Sequence, residues 1–272
     1  MLLIGFSGCA VVRSAATVRI ALLAPFEGRY REIGYNALYA ARLAQTDFGD
    51  EQIELLAVDD GGAAESAADR AHALAQDPQV KAVIALGYAS TGENVQQAFE
   101  DMLLLIVGSW SAQPQSNSAF VLSSSELDAF LTAPAAVDVV EAAILPAPVI
   151  GGDVFALAQF SKLRSNLNDV TVVSSAGLPD EQFSERYRNS GQFAPSPGLL
   201  ATLTYDATTI AMLSTQSTDP IEAVRTIDYE GLNGSIQFED GYWADAPIHF
   251  YVYASDKQLM EIQAPNAESS LP

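Results

Sequence analysis

Val18-Arg19-Ile20-Ala21-Leu22-Leu23, closed by the turn Ala24-Pro25-Phe26-Glu27-Gly28, is the stretch that decides the fold. It is a β-rich run broken by a proline and a glycine, and a helix is expected after it because Ile33, Ala37, Ala40, Ala41 and Ala44 recur at helical spacing. The alternation then repeats. Ile53-Glu54-Leu55-Leu56-Ala57-Val58 reads as a second strand before Asp59-Asp60-Gly61-Gly62, and Ala64, Ala67, Ala68, Ala71, Leu74 and Ala75 form an apolar helical stripe with His72 beside it. Runs at 82–86 and 103–107 complete four strands. Strands alternating with helices define an α/β chain with a parallel sheet covered by helices.

The rest of the chain is less regular. A short strand at 147–153 runs into Gly151-Gly152-Asp153, and a helix carrying Phe155, Ala158, Gln159 and Leu163 is expected next. Further strands are expected at 170–173, 234–238 and 248–253, helices at 183–187 and 205–213, and a frayed polar tail from Gln263. No repeat of ~20 to 50 residues occurs, which excludes solenoids and propellers.

Composition narrows the function classes. Among 272 residues, 49% are apolar and 17% charged, enough to build a large folded core. The 34 acidic and 13 basic residues give a net charge of -21, which repels nucleic acid and bare anionic membranes. Cys9 is the single cysteine, so neither an internal disulfide nor a multi-cysteine metal site is expected. The two histidines, His72 and His249, have no partner at motif spacing, and no hydrolase elbow, zinc motif, phosphate loop or dinucleotide fingerprint occurs. The chain is therefore expected not to be an enzyme and to need no cofactor or metal; Asp59-Asp60 reads as a turn or hinge.

In open parallel sheets a ligand sits beyond the carboxyl ends of the strands. That rule brings together segments 26–30, 88–91 and 109–112. Ser90-Thr91-Gly92-Glu93 reads as a capping box at a helix start, where free N–H groups favour an anion, so Ser90, Thr91 and Ser111 are candidate ligands for a carboxylate. Tyr88 and Trp110 would wall the pocket, with Tyr30 nearby; helix capping and ordinary packing are the alternatives for all of these. Arg29 and Arg31 read as solvated loop charges.

Four motifs then carry a resemblance: Val18-Arg19-Ile20-Ala21-Leu22-Leu23-Ala24-Pro25 with Gly28 and Gly34; Val58-Asp59-Asp60-Gly61; Val83-Ile84-Ala85-Leu86-Gly87 with Ser90; and Thr204-Tyr205-Asp206-Ala207 with Gly231, Gly234 and Phe238. In this order they resemble the type I periplasmic binding proteins, the family of the leucine, isoleucine and valine receptors. The resemblance implies two lobes, each a parallel sheet flanked by helices, with the chain crossing the hinge three times: residues 18–122 plus 196–241 as lobe one, 123–195 plus 242–272 as lobe two. Only 127–143 fills the space of a full strand–helix–strand unit after the first crossing, so the second lobe is expected to be truncated. At the family position facing the ligand stands Asp153, a candidate partner for an amino group, with Asp180 and Glu181 as a second choice and helix capping as the alternative for Asp153.

Phe6-Ser7-Gly8-Cys9, at the end of the apolar run from Met1, resembles a bacterial lipobox. It implies lipidation at Cys9 and residues 1–17 as signal remnant and tether; the absence of a basic residue before the run places the expected start of translation upstream of Met1. The combined expectation is an extracytoplasmic, membrane-anchored lipoprotein, in the periplasm or on the outer face of the cell membrane. It would capture an amino acid or similar small polar solute between its lobes for the permease of an ABC-type importer. The alternatives are a ligand-free interaction or regulatory lipoprotein, similar to activators of cell-wall synthases, and a sensor domain that kept the fold.

Overall fold

The structure, a computed structural model, describes residues 17–134 and 136–264. Cys9 and its lipobox-like surroundings lie outside the described residues.

The first half alternates as the sequence pattern requires: β1 (Val18–Ala24), α1 (Arg31–Phe48), β2 (Ile53–Asp59), α2 (Ala64–Ala75), β3 (Val80–Ala85), α3 (Glu93–Ala98), β4 (Leu103–Val107) and β5 (Ala119–Leu122). These five strands pair in parallel in the order β5-β4-β3-β1-β2. Burial explains their composition. Every residue of β4 and β5 is buried, as are the last five of β1, so an unbroken apolar run replaces the in–out alternation of a half-solvated sheet. Alanines at 37, 40, 41, 67 and 71 are all at or near zero exposure, letting α1 and α2 approach the sheet closely.

Next come α4 (Val139–Ile144), β6 (Val149–Gly151), α5 (Ala158–Leu163), β7 (Val170–Ser174) and α6 (Glu181–Asn189). The chain then returns to the first sheet through α7 (Leu199–Ser214), which packs along α1 and against β3 and β4. After it follow α8 (Pro220–Arg225), β8 (Tyr229–Gly231), β9 (Gly234–Ile236), β10 (Phe238–Glu239), β11 (Tyr242–Trp243), β12 (His249–Tyr253) and β13 (Leu259–Ile262). β10 and β11 extend the first sheet to seven strands, and the Tyr242–Val121 pairing keeps Tyr242 and Trp243 with that sheet, two residues past the expected crossing at 241.

The second sheet has four strands, ordered β13-β12-β7-β6, in keeping with a shortened second lobe. It is mixed rather than parallel. β6 and β7 are parallel, but β12 runs antiparallel to both β7 and β13. The short turn joining β12 to β13, closed by the Ala254 N–H to Gln258 carbonyl bond, accounts for that pair, because a hairpin can only return antiparallel. The helix expected through Phe155 and Leu163 is also divided. Asp153–Ala156 forms one 3-10 turn, Leu157 is extended at ψ 138°, and α5 starts at Ala158.

Candidate functional site

The two sheets meet at the carboxyl ends of their strands, and polar links formed by the chain itself fill part of that junction. The central link is Asp153, which follows β6 and is 1% exposed. Its carboxylate accepts hydrogen bonds from the Ser109 N–H at 2.7 Å, the Ser109 hydroxyl at 2.8 Å and the Ser174 hydroxyl at 2.6 Å. Burial pushes its pKa up, and the three donors pull in the opposite direction. The backbone around it leaves no room for larger residues. Gly108 has φ +93°, and a Cβ there would lie 2.9 Å from Leu200 Cδ2 and 3.0 Å from Asp153 Oδ2; a Cβ on Gly152 would lie 2.8 Å from the Ser109 hydroxyl.

Two more links join α1 to the second half. Glu32 accepts the N–H groups of Ala158 at 2.6 Å and Gln159 at 3.1 Å, so a side chain from the first half supplies the missing cap of α5. Tyr30 donates its hydroxyl to Asp138 at 2.8 Å and accepts the Val139 N–H at 3.0 Å, while Arg29 bonds both Asp138 oxygens at 2.8 and 2.7 Å. Partial burial pushes the Tyr30 hydroxyl up to about 12. Burial works to raise Asp138 as well, but the Val140 N–H, Tyr30 and Arg29 together hold it below the usual carboxylate range.

The remaining expected ligand residues take up framework positions. Ser90 is fully buried and its hydroxyl donates to Asp60 at 2.9 Å, while the Thr91 hydroxyl donates to the Gly87 carbonyl at 2.9 Å. The expected capping box does not form: Gly92 occupies the cap of α3, and no side chain caps it. Trp110 is 3% exposed, with its indole N–H on the Val107 carbonyl and Tyr88 edge-on at 5.3 Å. Ser111 is exposed at φ +58° and lines, with Trp110, a recess of only about 70 Å³. Asp180 caps α6 through the Phe183 N–H at 2.6 Å. Asp153, in contrast, caps nothing at its 3-10 turn. Asp59 accepts the N–H groups of Phe26, Glu27 and Gly61, a turn-fixing role, and no cluster of three metal-ligating side chains occurs among the described residues.

Open space lies on the other side of the same junction. A cleft of about 630 Å³ has one wall from α1, the start of α7 and α6, which packs on both of them, with Glu32, Asn36, Arg188, Leu199 and Leu200, and the other from Asp153, α5 and the β12–β13 turn. Asp153 is the one expected ligand residue on its lining; Tyr30, Tyr88, Ser90 and Thr91 line neither this cleft nor the smaller recess. Three basic side chains, Lys162, Arg188 and Lys257, also line the cleft, and the sequence reading missed all of them. No periodicity or motif marks them. The only available signal was that basic residues are scarce in an acidic chain.

Residues 17–145 match the model of the periplasmic binding protein family. No curated protein matches the chain. Solved structures are similar over nearly the whole chain: a leucine-binding protein from Thermotoga maritima at 13% identity and TM-score 0.71, covering 92% of this chain and 99% of that one. An ABC transporter substrate-binding protein from Desulfitobacterium hafniense, in complex with Leu, is 14% identical with TM-score 0.67, covering 90% and 99%. A solute-binding protein of an ABC transporter from R. palustris, in complex with benzoate, is 12% identical with TM-score 0.70, covering 90% and 95%. The family match thus covers residues 17–145, and the fold of these substrate-binding proteins extends over about 90% of the chain.

Proposed function

We propose that the protein captures a small polar solute in the cleft between α1, α6 and α7 on one side and α5 and the β12–β13 turn on the other, and presents it to an ABC-type importer. One observation carries this reading: the cleft takes its walls from both halves of the molecule, so a bound solute bridges them and favours the closed arrangement. Its volume is within the roughly 300 to 1,000 Å³ range of small-molecule sites. Relatives of the same fold are described with leucine and with benzoate, which supports a compact organic solute. In this reading residues 18–122 plus 196–241 make lobe one, with Tyr242 and Trp243 attached to it, and the rest make lobe two. Cys9 carries the lipid anchor, and a Cys9→Ser variant is expected to leave the detergent phase on Triton X-114 partitioning.

Thermal shift against amino acids, short carboxylic acids and their amides tests the reading. Saturation at about 100 times the dissociation constant adds about 2.7 kcal/mol of stability. No shift with any of these solutes would remove it. A second reading, an interaction or regulatory protein of the same fold, is favoured by the saturated Asp153–Ser109–Ser174 junction, because in the first set of expected ligand positions the chain's own groups stand where a ligand would. An unshifted melting curve together with co-purification of a cell-wall synthase would select it.

A further inference from the structure

Charge in the interlobe cleft is arranged differently from charge over the rest of the molecule. The chain has only 13 basic side chains against 34 acidic ones, yet Lys162, Arg188 and Lys257 line one cleft. Among the described residues, none of the three has an ion-pair partner; Lys257 gives one of its three N–H donors to the Ser161 carbonyl at 2.9 Å. The two carboxylates on the lining are already engaged. Asp153 accepts three hydrogen bonds at 1% exposure, and Glu32 accepts two backbone N–H groups. On the wall that also holds Arg188, α7 begins after Gly198, with no side-chain cap and no acidic residue in its first turn, so its start adds partial positive charge to the same space. Between the charged groups the lining is apolar: Leu157, Leu178, Leu199, Leu200 and Leu259.

We propose that the solute is an organic acid anion with a carboxylate head, an apolar body and no amino group. This rests on the cleft being the solute site, as argued above. The head meets Lys162 and Arg188, with Lys257 beside them, and the body lies on the leucines. A zwitterion fares worse, because its ammonium would face three cations, while Asp153 is buried with three hydrogen bonds and Glu32 already accepts two backbone N–H groups. The acidity of the whole molecule does not oppose this at physiological salt, since charges more than about 8 Å away are largely screened while a head in direct contact with the cations lies well within that distance.

Isothermal titration of the full chain with sodium hexanoate, sodium phenylacetate, hexanamide and leucine tests the proposal. Hexanoate and phenylacetate are expected to bind at least about tenfold more tightly than hexanamide or leucine. Both Lys162 and Arg188 are exposed, so the double variant Lys162→Gln, Arg188→Gln should fold as the parent does. It is expected to weaken hexanoate about tenfold or more and leave hexanamide unchanged. Leucine binding as tightly as hexanoate, and insensitive to the double variant, would overturn the acid class while the cleft reading stood. If none of the four binds, the acid class falls, and the cleft reading falls with it only when the wider thermal-shift panel is also silent.

Discussion

The two sides of the interlobe junction are built from opposite chemistry. At the strand ends, Asp153 and Ser174, both almost wholly buried, meet the half-buried Ser109 in hydrogen bonds, and Trp110 and Tyr88 pack beside them. Behind Glu32, the junction opens into a cleft with unpaired cations and apolar walls. A buried carboxylate is stable only when its donors are complete, so the filled side has little capacity left for a ligand. The open side has three cations without an ion-pair partner among the described residues. The same seam can therefore hold the halves together with one side and admit a solute with the other.

Four variants break or sharpen this contrast. The largest effect is expected from Asp153→Ala, which strands the Ser109 and Ser174 donors and should cost about 3 kcal/mol or more in urea unfolding. A loss of solute binding at unchanged stability would instead move the ligand site to the filled side. Gly108→Ala follows, at roughly 2 kcal/mol, since it combines φ +93° with contacts at 2.9 and 3.0 Å to Leu200 and Asp153. Glu32→Ala removes the cap that α1 lends to α5 and should cost about 1 kcal/mol. Small-angle scattering should show it to be more open than the parent, and an unchanged profile would mean that the link does not hold the halves.

The smallest effect belongs to the Arg29–Tyr30–Asp138 link at the edge, where Arg29 is 54% exposed. Asp138 has a lowered pKa, so its carboxylate contributes stability above the ordinary value of 3.8 and loses it as the pH falls through the lower folded value. The parent should therefore exceed Asp138→Asn by less than about 1 kcal/mol near neutrality, the gap closing in acid below pH 3.8. A gap that grows on acidification would contradict the assignment of that link.

How far the fold could be read from residues differed between the halves for a physical reason. β1, β2, β4 and the helices α1 and α2 are long, with burial on one stripe or on both faces, and their patterns mark them plainly. The start of α7 escaped notice because Leu199 to Asp206 is buried nearly all round, leaving no polar face to mark a helix. β5 and β13 have only four residues each, too few to show a period. The mixed character of the second sheet came in part from a hairpin, which local propensity does not distinguish from two separate strands.

The site was less legible than the fold. Asp153, an expected ligand residue, does reach the junction, whereas the hydroxyl of Ser90, expected to meet a carboxylate or else to cap a helix, donates to Asp60, 30 positions away. What the amino-acid order determined alone was the alternating architecture, the family likeness of the first half and the scarcity of basic charge, since each follows from neighbouring residues or from simple totals. Which polar groups satisfy one another, and which cations are left facing open space, was decided only by the tertiary structure. Glu32 meets Ala158, and Lys162 shares a cleft with Arg188 and Lys257, because packing two unequal sheets brings distant segments together, and no local pattern encodes that distance.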